Sequence, residues 1–273
     1  MSARGTAKET ATESATDDGA VHYRRDGAIA RVAFSRPHAH NAMTWTMYER
    51  LAQVCAEIRA EDGIRAVVFT AAGGKVFIAG TDIGQFTAFS GADDGVAYEE
   101  KVARFIAAVD DLPMPTLAVI EGWCVGGGLA IATACDLRIA TPASKFGFPI
   151  ARTLGNCLTP AVYGRLLAEF GVGRVKRMLM LADLLSADEA LTAGYLTEIV
   201  PPEEIGARAE AMLERLAGHA PVTMRTGKEA IARILSAVQV EGEDLVRAAY
   251  GSADFKHGVR AFLEKRKPEW TGS

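Results

Sequence analysis

Apolar residues recur through residues 44–59 at Met47, Leu51, Val54 and Ile58, spacings of four, three and four that place them on one face of a helix. Val102, Phe105, Ile106 and Val109 mark a second amphipathic helix, and Pro113 and Pro115 punctuate its end. Between and after these lie short apolar runs: AIARVAF at 28–34, AVVFT at 66–70, TLAVIEG at 116–122 and LRIA at 137–140. AVVFT and TLAVIEG are continuous rather than alternating, as expected of strands covered on both faces. Strand, helix, strand, helix, strand predicts an α/β architecture with crossover connections. Beyond about residue 146 the helical period dominates, over 160–170, 175–182, 187–193, 205–217, 223–235, 243–250 and 254–267. Ile205, Ala209, Met212, Leu213 and Leu216 share one helical face. The pattern divides the chain into a polar, disordered N-terminal tail at 1–20, an α/β core at 21–200 and a helical C-terminal region at 201–273.

Composition narrows the function classes. The 273 residues are 49% hydrophobic and 23% charged, with a net charge of −4, ordinary for a globular protein. There is no basic stripe for nucleic acid, no apolar run of membrane-spanning length and no signal-peptide core, so a cytoplasmic location is expected. Cys55, Cys124, Cys135 and Cys157 form no CxxC pair and no zinc spacing; they read as free thiols, and no metal is implied.

Two glycine-bearing segments each follow a predicted strand: GGKVFIAGTDIGQF at 73–86 and VGGGLAIATACD at 125–136. Glycines at a strand-to-helix junction let backbone N–H groups face an anion. Two such donors from separate loops could converge on one oxygen as an oxyanion hole. Neither segment fits a dinucleotide fingerprint, a P-loop or a nucleophile elbow. Taken alone, the glycines read equally well as tight packing turns.

Six elements in order make the chain resemble the crotonase superfamily, the enoyl-CoA hydratase/isomerase group. SRPHAHNAM resembles the family's RP-x-x-x-NA loop, and KVFIAGTDI its F-x-AG-x-D-L/I motif. GWCVGGGLAIATACDLRIA resembles its G-x-A-x-GGG…CD-x-RIA stretch, and FGFPIARTLG stands at its FG-x-PE-x-x-LG segment. SADEALTAGYLTEIVPPEEI and FKHGVRAFLEKRKPEW resemble its later helix–turn and C-terminal signature. The resemblance covers residues 21–270. It implies a spiral of β-β-α units with a helical C-terminal trimerisation region, in a homotrimer or a hexamer. It also implies an acyl-CoA thioester as substrate, so that coenzyme A arrives with the substrate and no permanent cofactor is held.

By the same resemblance, the backbone N–H groups of Thr81 and Gly127 form the oxyanion hole. Thr81 takes a position that is commonly alanine. His38, His40, Ala79, Asp82, Ile83, Val125, Gly126, Phe262 and Lys265 fall at coenzyme A-contacting positions. Asp82 and Asp136 are read as structural. Hydratases of the family use two glutamates, and this chain has Ala130 and Ile150 at those positions. Neither can move a proton. Arg152 could clamp a substrate carboxylate and Cys157 could act as a nucleophile, although RTLGNCLTP reads more simply as a loop packed against the acyl pocket. Three readings stay open: an enolate-stabilising enzyme such as a decarboxylase of a malonyl-type thioester, a hydratase or isomerase with a substitute residue, and an inactive acyl-CoA-binding paralogue. A non-CoA carbonyl substrate is a further alternative.

Overall fold

A computed structural model describes residues 18–237 and 240–273. Residues 1–17 of the expected tail lie outside the described residues. Strands β1 (Ala20–Asp26) and β2 (Ile29–Ser35) pair antiparallel and lead into helix α1 (Trp45–Ala60). The chain then continues through β3 (Ala66–Ala71), β4 (Val76–Ile78), α2 (Ala92–Asp110), β5 (Thr116–Ile120), β6 (Trp123–Val125) and α3 (Gly127–Thr133). A third turn follows as β7 (Leu137–Ala140), β8 (Lys145–Gly147) and α4 (Ile150–Thr153). After α5 (Pro160–Met180) come β9 (Leu185–Ser186), α6 (Ala187–Thr192), β10 (Glu198–Ile199), α7 (Ile205–Gly218), α8 (Pro221–Ser236), α9 (Glu243–Gly251) and α10 (Ala253–Leu263).

Each turn of the spiral gives one strand to each of two sheets. The larger sheet has the order β1-β2-β3-β5-β7-β10, the smaller β4-β6-β8-β9. In the larger sheet every pair from β2 onward is parallel, which demands the crossovers expected from the sequence. Its central strands are buried on both faces. Val67, Phe69, Ala118 and Ile120 enter the main core, while Ala66, Val68, Leu117 and Val119 pack under Ile205, Ala209, Met212 and Leu213 of α7. This two-sided burial explains the continuous apolar runs.

The smaller sheet was invisible to periodicity because β4, β6 and β8 are three residues each. The two helical runs at 160–170 and 175–182 join into α5, kinked at Gly171 (φ 73°). The C-terminal helices differ in role. Helix α7 covers the large sheet; α9 and α10 bury Val246, Tyr250, Phe255 and Val259 in the main core; α8 buries no residue. Helix α8 is tied down by Lys228, whose Nζ lies 2.8 Å from Asp136 Oδ2. The same carboxylate accepts from the Thr116 N–H and hydroxyl, so Asp136 locks the start of β5 to the end of α3.

Candidate active site

The smaller sheet and the two loops it carries open onto a cavity of about 790 Å³. Two glycine-shaped approaches build its floor. Gly128 sits so close to β4 that a Cβ there would lie 2.2 Å from the Ile78 carbonyl oxygen. Gly80 (φ 100°) and Gly126 (φ 56°) take left-handed backbone that side chains resist, and a Cβ on Gly80 would lie 3.7 Å from Gly127 N. The Thr81 and Gly127 segments are thereby brought together.

Met43 bridges the Thr81 segment, its N–H donating to Gly80 O (2.8 Å) and its carbonyl accepting from Asp82 N (2.9 Å). Partners alternate along extended backbone, so the Thr81 N–H faces the opposite way. Gly127 is the first residue of α3, where an N–H has no intrahelical acceptor. Among the described residues, neither N–H takes part in a backbone hydrogen bond, and both residues line the cavity.

The loop before this floor is held by its side-chain amide. Asn41 (φ 54°) accepts from Arg36 N and donates to the carbonyls of Ala72 and Val76, all within 2.9 Å. Asp82 accepts from Arg36 Nη1 at 2.6 Å with one oxygen and from Gly84 N at 2.8 Å with the other. Both oxygens are occupied, in keeping with its structural reading.

The Thr81 side chain has work of its own. Its hydroxyl lies 3.0 Å from Tyr48 Oη and 2.8 Å from Tyr98 Oη, a chain of three buried hydroxyls beside the Thr81 N–H. An alanine there would break it. Burial pushes the Tyr48 phenol up to about 12 and holds Tyr98 well above the usual range, so both stay neutral.

The opposite wall is helical. Gly95, Tyr98, Glu99, Val102, Ile106 and Val109 form the buried stripe of α2. Tyr250 of α9 fits over Gly95, where a Cβ would meet its ring at 2.2 Å. That contact delivers the Tyr250 hydroxyl to Glu99 Oε1, to which it donates at 2.5 Å; Asn156 Nδ2 donates to the same hydroxyl at 3.2 Å. Glu99 is 7% exposed and lines the cavity. Burial pushes its carboxyl up to about 7, with the Tyr250 hydrogen bond pulling the other way. Asn156 Oδ1 is buried without a hydrogen-bond partner.

Of the residues singled out from sequence, His40, Ala79, Thr81, Asp82, Ile83, Val125, Gly126, Gly127, Ala130, Ile150, Arg152 and Phe262 all line the cavity. Arg152 is solvent-exposed and forms no ion pair among the described residues. His38, Lys265 and Cys157 are not in the lining. Cys157 was expected in the substrate pocket. Instead its Sγ sits 3.7 Å from Leu245 O, and burial pushes the thiol up to about 12, which removes it as a nucleophile. Lys75, Tyr98, Glu99, Trp123 and Asn156 line the cavity and were not singled out. Glu99 had a signal: the apolar face at Val102, Ile106 and Val109, carried back by three, lands on a glutamate.

The two-sheet β-β-α spiral with its C-terminal helices is the crotonase fold. The family model described as Enoyl-CoA hydratase/isomerase matches residues 24–273, and the chain belongs to that family. It is 32% identical to a short-chain enoyl-CoA hydratase of Clostridium acetobutylicum over 259 residues, covering 91% of this chain and 96% of the relative. It is 31% identical to the human mitochondrial enoyl-CoA hydratase domain-containing protein 2, covering 90% and 87%. Among solved structures, a methylmalonyl-CoA decarboxylase in complex with 2-nitronate-propionyl-CoA superposes with a TM-score of 0.85 at 27% identity, covering 93% and 98%. An enoyl-CoA hydratase/carnithine racemase from Magnetospirillum magneticum gives 0.76 at 30% identity, covering 94% and 98%.

Proposed function

We propose that the protein binds an acyl-CoA thioester in this cavity, with the thioester oxygen between the N–H groups of Thr81 and Gly127, and that it stabilises the enolate formed there. The observation that carries this reading is the pair of unengaged N–H groups from two separate loops on one cavity floor. Such donors act on charge that develops during reaction, and each contributes about 3–4 kcal/mol. Lys75 and His40 line the same cavity and supply positive charge or hydrogen bonds for the anionic end of the ligand.

The reaction assigned is decarboxylation of a malonyl-type thioester. Loss of CO₂ leaves an enolate, so the step needs the oxyanion donors and then a single proton. It does not need the water-orienting pair that hydration requires. Ala130 and Ile150, apolar at the family's glutamate positions, fit this demand. Likeness to a methylmalonyl-CoA decarboxylase is consistent with it. Arg152 is assigned to the departing carboxylate. Hydration is the second reading, favoured by the 32% identity to a short-chain enoyl-CoA hydratase.

Parallel assays with methylmalonyl-CoA, malonyl-CoA and crotonyl-CoA separate the two. CO₂ release far above the buffer rate, with crotonyl-CoA unchanged, is the expected result. Rapid hydration of crotonyl-CoA without CO₂ release would overturn the assignment. We further assign α8 to contacts between subunits of a trimer. Its Val222, Ile231, Ile234 and Leu235 are exposed although apolar, as are Met180 and Leu181 at the end of α5. Light scattering that gives a monomer at micromolar concentration would reject this.

A further inference from the structure

The cavity contains one carboxyl that structural duties do not use up. Asp82 spends both oxygens on Arg36 and Gly84, whereas Glu99 accepts from Tyr250 through Oε1 alone, and its Oε2 accepts no hydrogen bond from a described residue. Glu99 also shares the cavity with the Thr81 segment. Its chain neighbour Tyr98 reaches Thr81 Oγ1 at 2.8 Å, and both Tyr98 and Glu99 line the cavity with Thr81. A buried acid on an otherwise apolar helical stripe is costly to keep, and Gly95, Tyr250 and Asn156 are arranged around it.

We propose that Glu99 is the proton-transfer residue of this cavity, delivering a proton to the α-carbon of the enolate held by Thr81 and Gly127, with Tyr250 and Asn156 as positioning residues. This rests on the enolate reading above. In the step, the Glu99 O–H bond breaks and its electron pair stays on the carboxylate. The enolate π pair forms the new Cα–H bond, and the thioester C=O is restored. Solvent then reprotonates the carboxylate. The reverse step has the Glu99 carboxylate remove an α-proton from the saturated thioester, so the enzyme must exchange that proton with solvent.

The environment suits the task. The titratable groups that face Glu99 are Tyr48 on α1, Tyr98 on its own helix, Cys157, Tyr163 on α5 and Tyr250 on α9. All are pushed upward by burial and stay neutral, and no cation is among them. With a carboxyl poised near neutrality, both protonation states are available at working pH.

The test is hydrogen–deuterium exchange at the α-carbon of propionyl-CoA in D₂O, followed by NMR, with calorimetry of propionyl-CoA binding alongside. Wild type is expected to exchange, at a rate that rises with pH through about 7. Glu99→Gln is expected to bind propionyl-CoA as before and to lose exchange by about 10²–10⁴-fold together with that pH limb. Glu99→Asp should retain the limb at a reduced rate. Tyr250→Phe should keep exchange and move the limb to higher pH, because the hydrogen bond that stabilises the carboxylate is gone. Exchange and pH profile unchanged in Glu99→Gln would overturn the role of Glu99 and leave the enolate reading standing. No binding and no exchange in wild type would overturn both.

Discussion

The two walls of the cavity use opposite means. The floor, from β4 to Thr81 and from β6 into α3, presents main-chain N–H groups and owes its shape to glycines. The facing wall, from α2, presents side chains, the Glu99 carboxyl and the Tyr98 phenol, with Tyr250 of α9 hydrogen-bonded to Glu99. The floor is set by local backbone conformation, and the wall is set by how two helices distant in sequence meet. A floor of this kind fixes where a carbonyl oxygen sits. A wall of this kind decides what happens at the carbon beside it.

The comparison breaks most severely at the floor. Gly128→Ala drives a Cβ to within 2.2 Å of the Ile78 carbonyl oxygen, and backbone cannot step aside as a side-chain tip can. A loss of about 3 kcal/mol in urea unfolding is expected, along with activity, since α3 must move off β4. A wild-type unfolding curve for this variant would mean the floor is looser than its geometry implies.

At the wall, Glu99→Gln keeps the shape and removes the charge. The folded-state carboxyl titrates near 7 against about 4.5 when unfolded, so the folded state holds the extra proton between those values. Wild-type stability from this group is therefore full below about pH 4.5 and lost as pH rises through about 7. Relative to Glu99→Gln, wild type should lose about 3 kcal/mol across that window. Denaturation at pH 5 and pH 8 reads the difference directly, and parallel pH curves for the two proteins would contradict it.

Thr81→Ala joins the two walls in one experiment. It keeps the N–H on the floor and deletes the hydroxyl that ties Tyr48 to Tyr98. A destabilisation of about 1 kcal/mol and a few-fold fall in kcat are expected, with KM nearly unchanged. The smallest effect belongs to Arg152→Ala at the solvent-exposed edge. Screening there limits the expected rise in KM for a malonyl-type thioester to roughly threefold, and no rise is expected for a neutral acyl-CoA.

The backbone turns of the floor were legible in sequence because their requirements are local, whereas the role of Thr81 and Gly127 came from the family resemblance alone. Glycine at positions 80, 126, 127 and 128, the Asn41 loop and the Asp82 turn each announce a backbone conformation in a short string. The doubly covered strands were legible for a similar reason: burial on both faces writes itself as an unbroken apolar run. The wall was not read, although Glu99 sits on the helical stripe of Val102, Ile106 and Val109. A glutamate at such a position is ordinarily taken as the edge of the apolar face. Only the meeting of Gly95 with Tyr250, 155 positions away, makes it interior. Cys157 failed in the opposite direction. It lies in a segment that reaches the cavity through Asn156, but its own side chain turns toward the Leu245 carbonyl.

Main-chain donors have one property that side-chain donors lack: no exchange of a single side chain other than to proline removes them. The proposed carbonyl anchor is therefore separable from the reaction, and the lining around it can be rewritten while its N–H groups stay. Ala130 and Ile150 both face the cavity with small or apolar groups. Installing carboxylates by Ala130→Glu and Ile150→Glu would make the scaffold a trial ground for water addition, with the proposed main-chain grip on the substrate left untouched.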